Sequence, residues 1–505
     1  MESNTTVNQK PKMEKYDLCK KDYIFSAIFL VTCVLMSFFG IFGYMNLGFT
    51  VTSIMLLLGI TIYLKQKTKR VMGFGICCFV LAITCSFSFT LTSSEAVRLF
   101  NLVAVIFLSL VWNRALTNGA VSENDIIPNI LNDVAGVLDT YGKSMVSVIV
   151  GKGNRAKPMG KVIIGIALAL PVLLVVIPLL ISSDEAFSGL VTMLTENFAF
   201  GVIKFAIGIA LSSFVIAYAF SLKLEKSVER VKSGFKGIDN VILVSFLTVI
   251  SVCYVVYLFS QLAYFFSAFS GFLPNDYVFS FSEYARRGFF EMAIIAGINL
   301  VIILTATMFG KKEKSKSVGC LTKIICTFIS VFTLIIIATA ISKMVLYIRE
   351  LGMTELRITT SAFMVFLSVV FISVILKLYI GKIQVVKTAI ITAGIILSLL
   401  GIFNVKAVVA NYNYNAYVSG QMKTIDTEAM YDLGDEGVPY LVKLALNGDV
   451  EAKLWVETHI VAEHYYYYGP SYDMGKKRYE GIGEFNIARQ RAYNALEEYY
   501  QMQKK

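Results

Sequence analysis

The chain is poor in the residues that carry chemistry. Of 505 residues, two are histidine, two are tryptophan, eight are cysteine and only 16% are charged. So little charge cannot coat a soluble protein of this size, which argues against a water-soluble globule. The cysteines (Cys19, Cys33, Cys77, Cys78, Cys85, Cys253, Cys320 and Cys326) show no metal-type spacing, and none follows Phe403. That argues against a zinc centre and against a disulfide-stapled tail. His459 and His464 stand five residues apart, which turns their rings about 140° from each other on a helix; zinc helices space their histidines four apart. No third ligand accompanies them. There is no Gly-rich phosphate loop, no G-x-S-x-G and no cofactor signature, so neither metal nor cofactor nor catalytic residue is expected.

What the chain has instead is apolar length. It is 56% hydrophobic with a mean hydropathy of +0.67. A bilayer core about 30 Å thick takes roughly 20 helical residues. Eleven stretches meet that length: Tyr23–Met45, Leu47–Leu64, Val71–Leu91, Leu99–Leu116, Val162–Ile181, Phe198–Leu222, Ile238–Phe266, Phe289–Phe309, Leu321–Tyr347, Ile358–Ile380 and Val385–Phe403. They are solidly apolar rather than alternating, which predicts helices, not a barrel. The expected fold class is all-α: a polytopic helical membrane domain with a small helical domain outside it.

Basic residues collect in every second gap. The N-terminal tail and the gaps at 65–70, 114–161, 223–236, 311–323 and 377–387 hold 28, whereas the intervening gaps hold six (Arg98, Arg286, Arg287, Lys343, Arg349 and Arg357). The positive-inside rule then places the N-terminus in the cytoplasm and the C-terminus outside, in a multi-pass protein of the cytoplasmic membrane. The formal charge of +11 is mostly this fringe, which favours anionic lipid headgroups rather than nucleic acid. The first span is longer than a signal-peptide core and reads as an anchor.

The expected organisation is a cytoplasmic tail (1–22), a membrane domain (23–403) and an extracytoplasmic helical domain (404–505). Within the membrane domain, Ile126–Ile149 has helical apolar periodicity with Asn124 or Asp125 as its cap, and predicts an amphipathic helix in the inner headgroup layer. Pro171 and Pro178 predict a kinked span. The last 102 residues are rich in tyrosine and balanced in charge. Gly434-Asp435, Gly448-Asp449, Gly469-Pro470 and Asn486 punctuate them into helices near Thr427–Leu433, Glu436–Asn447, Val450–Tyr467 and Ile487–Met502.

The candidate functional cluster is FSEYARRGFFE, Phe281 to Glu291. Glu283, Arg287 and Glu291 form an i, i+4, i+8 ladder on one helix face, flanked by Tyr284 and Arg286. Charges at that depth face protein or water, as an interfacial ion-pair anchor or as an anion or substrate contact. Lys204 lies inside a span, where it can snorkel outward or pair with Asp184, Glu185 or Glu291. Asp239 reads as a helix cap, and Gln261 and Asn299 as interhelical hydrogen-bond glue.

FSEYARRGFFE, the stretches FNVKAVVANYN and IDTEAMYDLGDEGVPYL (Phe403–Asn413 and Ile425–Leu441) and the closing FNIARQRA (Phe485–Ala492) together resemble bacterial polytopic membrane proteins of domain of unknown function 4173, related to 4153. The resemblance implies a multi-span membrane domain with a helical tail, and carries no agreed activity. SSDEAF (Ser182–Phe187) departs from the Ser-Ala-Asp-Pro-like pattern of that group, with Glu185 in place of the proline. Two functions fit. One is a non-enzymatic envelope sensor or scaffold whose tail binds a partner. The other is a secondary transporter or flippase using Lys204 and the Glu283/Arg287/Glu291 ladder. An enzyme acting on lipid-linked substrates would need clustered His, Asp or Glu on one membrane face, which is lacking.

Overall fold

A computed structural model of the chain describes residues 16–40, 45–65, 73–118, 123, 126–150, 185–224, 240–270, 289–309, 319–460 and 485–503. Among them every regular element is helical and no strand occurs. The membrane-domain helices are α1 (Lys20–Gly40), α2 (Leu47–Leu64), α3 (Gly73–Leu91), α4 (Glu95–Asn118), α5 (Ile126–Val150), α6 (Glu185–Leu224), α7 (Asn240–Ser270), α8 (Phe289–Phe309), α9 (Cys320–Leu351), α10 (Glu355–Tyr379) and α11 (Val385–Ile402). The tail holds α12 (Val405–Val418), α13 (Thr427–Tyr431), α14 (Val438–Leu446), α15 (Val450–Leu454) and α16 (Ile487–Gln503).

Nine helices among the described residues are long and apolar enough to cross a membrane: α1 to α4, α6, α7 and α9 to α11. The expected span at Phe289–Phe309 is the 21-residue α8; the expected span Val162–Ile181, with both its prolines, lies outside the described residues. These helices wear their large apolar side chains outward. Ile242, Val249 and Phe259 are each about two-thirds exposed, as lipid-solvated residues are. Many hydroxyls bond their own helix: Ser26 donates to the Asp22 carbonyl and Ser330 to that of Cys326, each at 2.8 Å. A polar group in hydrocarbon must find its partner within the protein, and these hydroxyls find theirs one turn back on their own helix.

The chain divides into two compact units. One comprises Met1–Thr90, Val105–Val228 and Tyr479–Asn486; the other comprises Leu91–Ala104, Glu229–Arg478 and Ile487–Lys505. In the first, α1 packs on α2 and α6, and α5 on α6. The α1–α6 approach depends on Gly208, where a Cβ would sit 2.6 Å from the Val34 Cα; small residues permit such close helix contact. In the second unit, α9 packs against α7, α8 and α10, around Leu247, Ile303, Phe332 and Phe371. Asn299 does act as interhelical glue: it accepts from the Tyr254 hydroxyl, and its amide donates to Thr333 Oγ1 at 2.9 Å.

The tail packs within the second unit around α14, whose Leu441 and Val442 join Val97, Val405, Met430, Val456, Leu496 and Tyr499 in one core. Asp426 and Asp449 cap α13 and α15, accepting from the amides of Ala429 at 2.8 Å and Ala452 at 2.9 Å. Gly448 (φ +92°) reverses the chain between α14 and α15, as glycine does without strain. Two details differ from expectation. α12 follows the membrane domain where the sequence punctuation suggests no helix. Of the helix expected over Val450–Tyr467, Val450–Leu454 is α-helical and Trp455–Ile460 widens into a π turn, while residues 461–467 lie outside the described residues.

Candidate functional site

Of the sequence-predicted cluster, Asp184, Glu283, Tyr284, Arg286 and Arg287 lie outside the described residues, as do Asp239 and His464. Glu291 is exposed in the first turn of α8, in the second unit. Lys204 is half-buried on α6, in the first unit. Its Nζ lies 5.8 Å from the centroid of the Phe38 ring, and its carbonyl accepts from Ser37 Oγ at 2.7 Å. Among the described residues no group of three His, Cys, Asp or Glu side chains could hold a metal ion.

The densest polar site of the second unit is built instead on the three residues between α3 and α4. Thr92, Ser93 and Ser94 form a tight turn in which the Ser94 amide donates to Thr92 Oγ1 at 3.1 Å, and Ser94 Oγ caps α4 by accepting from the Val97 amide at 3.2 Å. Glu436 closes on this turn. It accepts from the Ser93 amide at 2.8 Å, from the Ser93 hydroxyl, and from Asn404 Nδ2 at 3.0 Å. Asn404 also donates to the Leu91 carbonyl at 2.8 Å. It reaches both by adopting φ +50°, a left-handed conformation that Asn tolerates. Ser94 Oγ donates to Glu355 Oε1.

Arg98, one turn into α4, donates from Nε to the Thr92 carbonyl at 2.7 Å and lies in the field of Glu436, Asp435 and Glu95. Thr92, Ser94, Arg98, Asn404 and Glu436 are all buried. A buried carboxylate is tolerable only when its lone pairs are bonded and its charge is balanced, and here they are. Beside it, Asp435 pairs with Arg489 of α16 at 3.5 Å. Burial pushes the Asp435 carboxyl above its usual range, and Arg489 opposes that. The arrangement fastens: the bonds of the Glu436 carboxylate join the turn to the tail. None of this was predicted, although one signal was available: an arginine at the mouth of an apolar span requires a buried acidic partner.

The first unit has two polar sites of its own. Asp22 Oδ1 accepts from Lys223 Nζ at 2.8 Å and from the Tyr63 hydroxyl at 3.0 Å, and Oδ2 from the Cys19 amide at 2.9 Å. The ammonium also lies 3.9 Å from the centroid of the Tyr63 ring, a cation–π contact. On α5, Asp133 pairs with Arg114 of α4 at 2.9 Å.

Apolar outward faces, hydroxyls bonded to their own helices and buried, paired charges at the span ends define an all-α polytopic membrane protein. A family model described as "Domain of unknown function (DUF4153)" matches residues 51–444, and the chain belongs to that family. This is the family named as related in the sequence resemblance, not 4173 itself. No curated protein and no solved structure matches the chain.

Proposed function

We propose that the protein is a non-enzymatic sensor or scaffold of the bacterial cell envelope, with its N-terminus inside, its C-terminus outside and its helical tail as the partner-binding part. The observation that carries this reading is the seat of Glu436: a carboxylate from the tail, buried and bonded to the α3–α4 turn. A tail held this way shares its position with the turn that starts the spanning helix α4, so force or occupancy on it is felt at that turn. The basic residues gathered in alternate gaps support the orientation. The tail presents exposed apolar residues, Val450 and Leu454, beside the half-buried Trp455, as partner surfaces do.

A photo-crosslinking residue placed at Leu454 of the full chain, in whole cells, tests the reading. The expected result is one discrete adduct with an envelope protein, lost in Glu436→Ala. No adduct, together with proteoliposome flux that Lys204→Ala and Glu291→Ala each abolish, favours the transporter or flippase reading instead.

A further inference from the structure

The second polar site of the first unit is short of one hydrogen-bond donor. Asn113 on α4 is 1% exposed, and its Oδ1 finds no hydrogen-bond partner among the described residues. The same is true of Asp133 Oδ2, while the Tyr218 hydroxyl has the Asn113 side chain as its hydrogen-bond partner. The three belong to one cluster. Asp133 Oδ1 is engaged by Arg114, the neighbour of Asn113, at 2.9 Å, and Tyr218 on α6 lies beside the Asn113 side chain and in the field of both Asp133 and Arg114. With Asp133 ionised, two acceptor oxygens face a single phenolic donor. Leaving a buried polar atom unpaired costs about 1–3 kcal/mol.

We propose that Asn113, Arg114, Asp133 and Tyr218 form a proton-binding site, in which Asp133 Oδ2 takes up a proton from solvent and donates it in a hydrogen bond to Asn113 Oδ1. The count then closes. Asn113 Oδ1 has two lone pairs and accepts from both the acid O–H and the Tyr218 O–H. A metal cation in the same place would set a second positive charge against Arg114. Solvent reaches the site, since the Asp133 and Arg114 side chains keep 11% and 14% of their exposure. Burial, against the pull of Arg114, raises the Asp133 carboxyl to about 6.

Among the described residues, three other charged and titratable groups of the packed elements are engaged elsewhere. Lys223 of α6 is on Asp22 of α1, the Tyr23 hydroxyl donates to the Ser147 carbonyl, and Lys143 of α5 lies over the Tyr16 ring. Protonation turns the Asp133–Arg114 ion pair into a weaker charge–dipole contact. It thereby loosens the first half of α5 from α4, while Tyr141–Ser213 (2.8 Å) and the Tyr16 amide on Ser147 Oγ (2.8 Å) hold the second half.

Infrared difference spectroscopy of the full chain in lipid nanodiscs, stepped from pH 8 to pH 5, tests this. The expected result is a protonated-acid carbonyl band that grows in with a midpoint near 6 and is missing in Asp133→Asn. In Asn113→Leu, which removes the acceptor of the acid proton, the midpoint is expected to fall by about one unit, a tenfold loss of proton affinity. A wild-type chain with no such band down to pH 5 overturns the proposal and leaves an ordered water as the missing donor. So does a band that persists in Asp133→Asn, or a midpoint that Asn113→Leu does not move.

Discussion

Asp22 and Glu436 are both buried carboxylates, one in each unit, and they are satisfied in different ways. Asp22 relies on a cation from another helix, Lys223, with Tyr63 and the Cys19 amide completing its shell. Glu436 is gripped by the shape of a turn: the amide and hydroxyl of one serine and the side-chain amide of an asparagine held at positive φ, all within the field of Arg98. The first arrangement ties three neighbouring helices into a bundle. The second ties residues 343 positions apart in sequence. An ion pair needs only two charges in reach, whereas a turn that cradles a carboxylate needs its backbone fixed. Disturbing the first therefore leaves an unpaired charge, and disturbing the second releases a segment.

The contrast can be broken first at Lys223. Removing one partner of a buried pair costs about 3–5 kcal/mol, so Lys223→Ala is expected to destabilise the solubilised chain by that order. The double change Asp22→Leu with Lys223→Met is expected to recover most of it. Denaturant unfolding of the wild type, Asp22→Leu, Lys223→Met and the double variant measures the coupling. Glu436→Gln comes next. It keeps the shape but sets an amide donor among donors, with an expected loss of about 1–3 kcal/mol, accompanied by faster proteolysis of the tail. Asn404→Ala removes a cap, the bond to Glu436 and a residue suited to φ +50°, with an expected loss of about 1–2 kcal/mol.

The smallest effects are pH slopes of opposite sign. Asp435 binds its proton more readily folded than unfolded. Its share of stability is therefore present at low pH and lost as pH rises through the raised folded value. Asp435→Asn should flatten that slope. Glu457 is held below the usual range by the Gln503 amide and the Tyr499 hydroxyl. Its share is present above the ordinary carboxylate range and lost as pH falls through the depressed value, so Glu457→Gln should flatten the acid side alone. Thermal unfolding across pH reads both.

How much of this was legible in the sequence follows from the physics of each element. Spans are visible because lipid demands long apolar runs, and α1 to α4, α6 to α11 fall where those runs lie. The caps at Asp449 and the turn at Gly448 are visible because they are local chemistry. α12 was missed because Val405–Val418 lies before the Gly and Asp punctuation from which the tail helices are read; Val405 and Val409 pack on the tail core. The Glu436 seat was missed for a different reason. Each of its residues has an ordinary local explanation: Ser94 and Asn404 as caps, Arg98 as a boundary charge, Glu436 as a helix start. Only the fold brings them together. The Glu283/Arg287/Glu291 ladder remains a reading of the sequence alone.

Amide hydrogen exchange over residues 92–98 of the full chain in nanodiscs bears most directly on whether the tail is seated on the α3–α4 turn. The Ser93 amide donates to Glu436, so slow exchange in the wild type and a tenfold or greater acceleration in Glu436→Ala, about 1.4 kcal/mol of lost protection, is the predicted result. Equal exchange in the two chains would mean that the turn holds itself and that the tail is not fastened there.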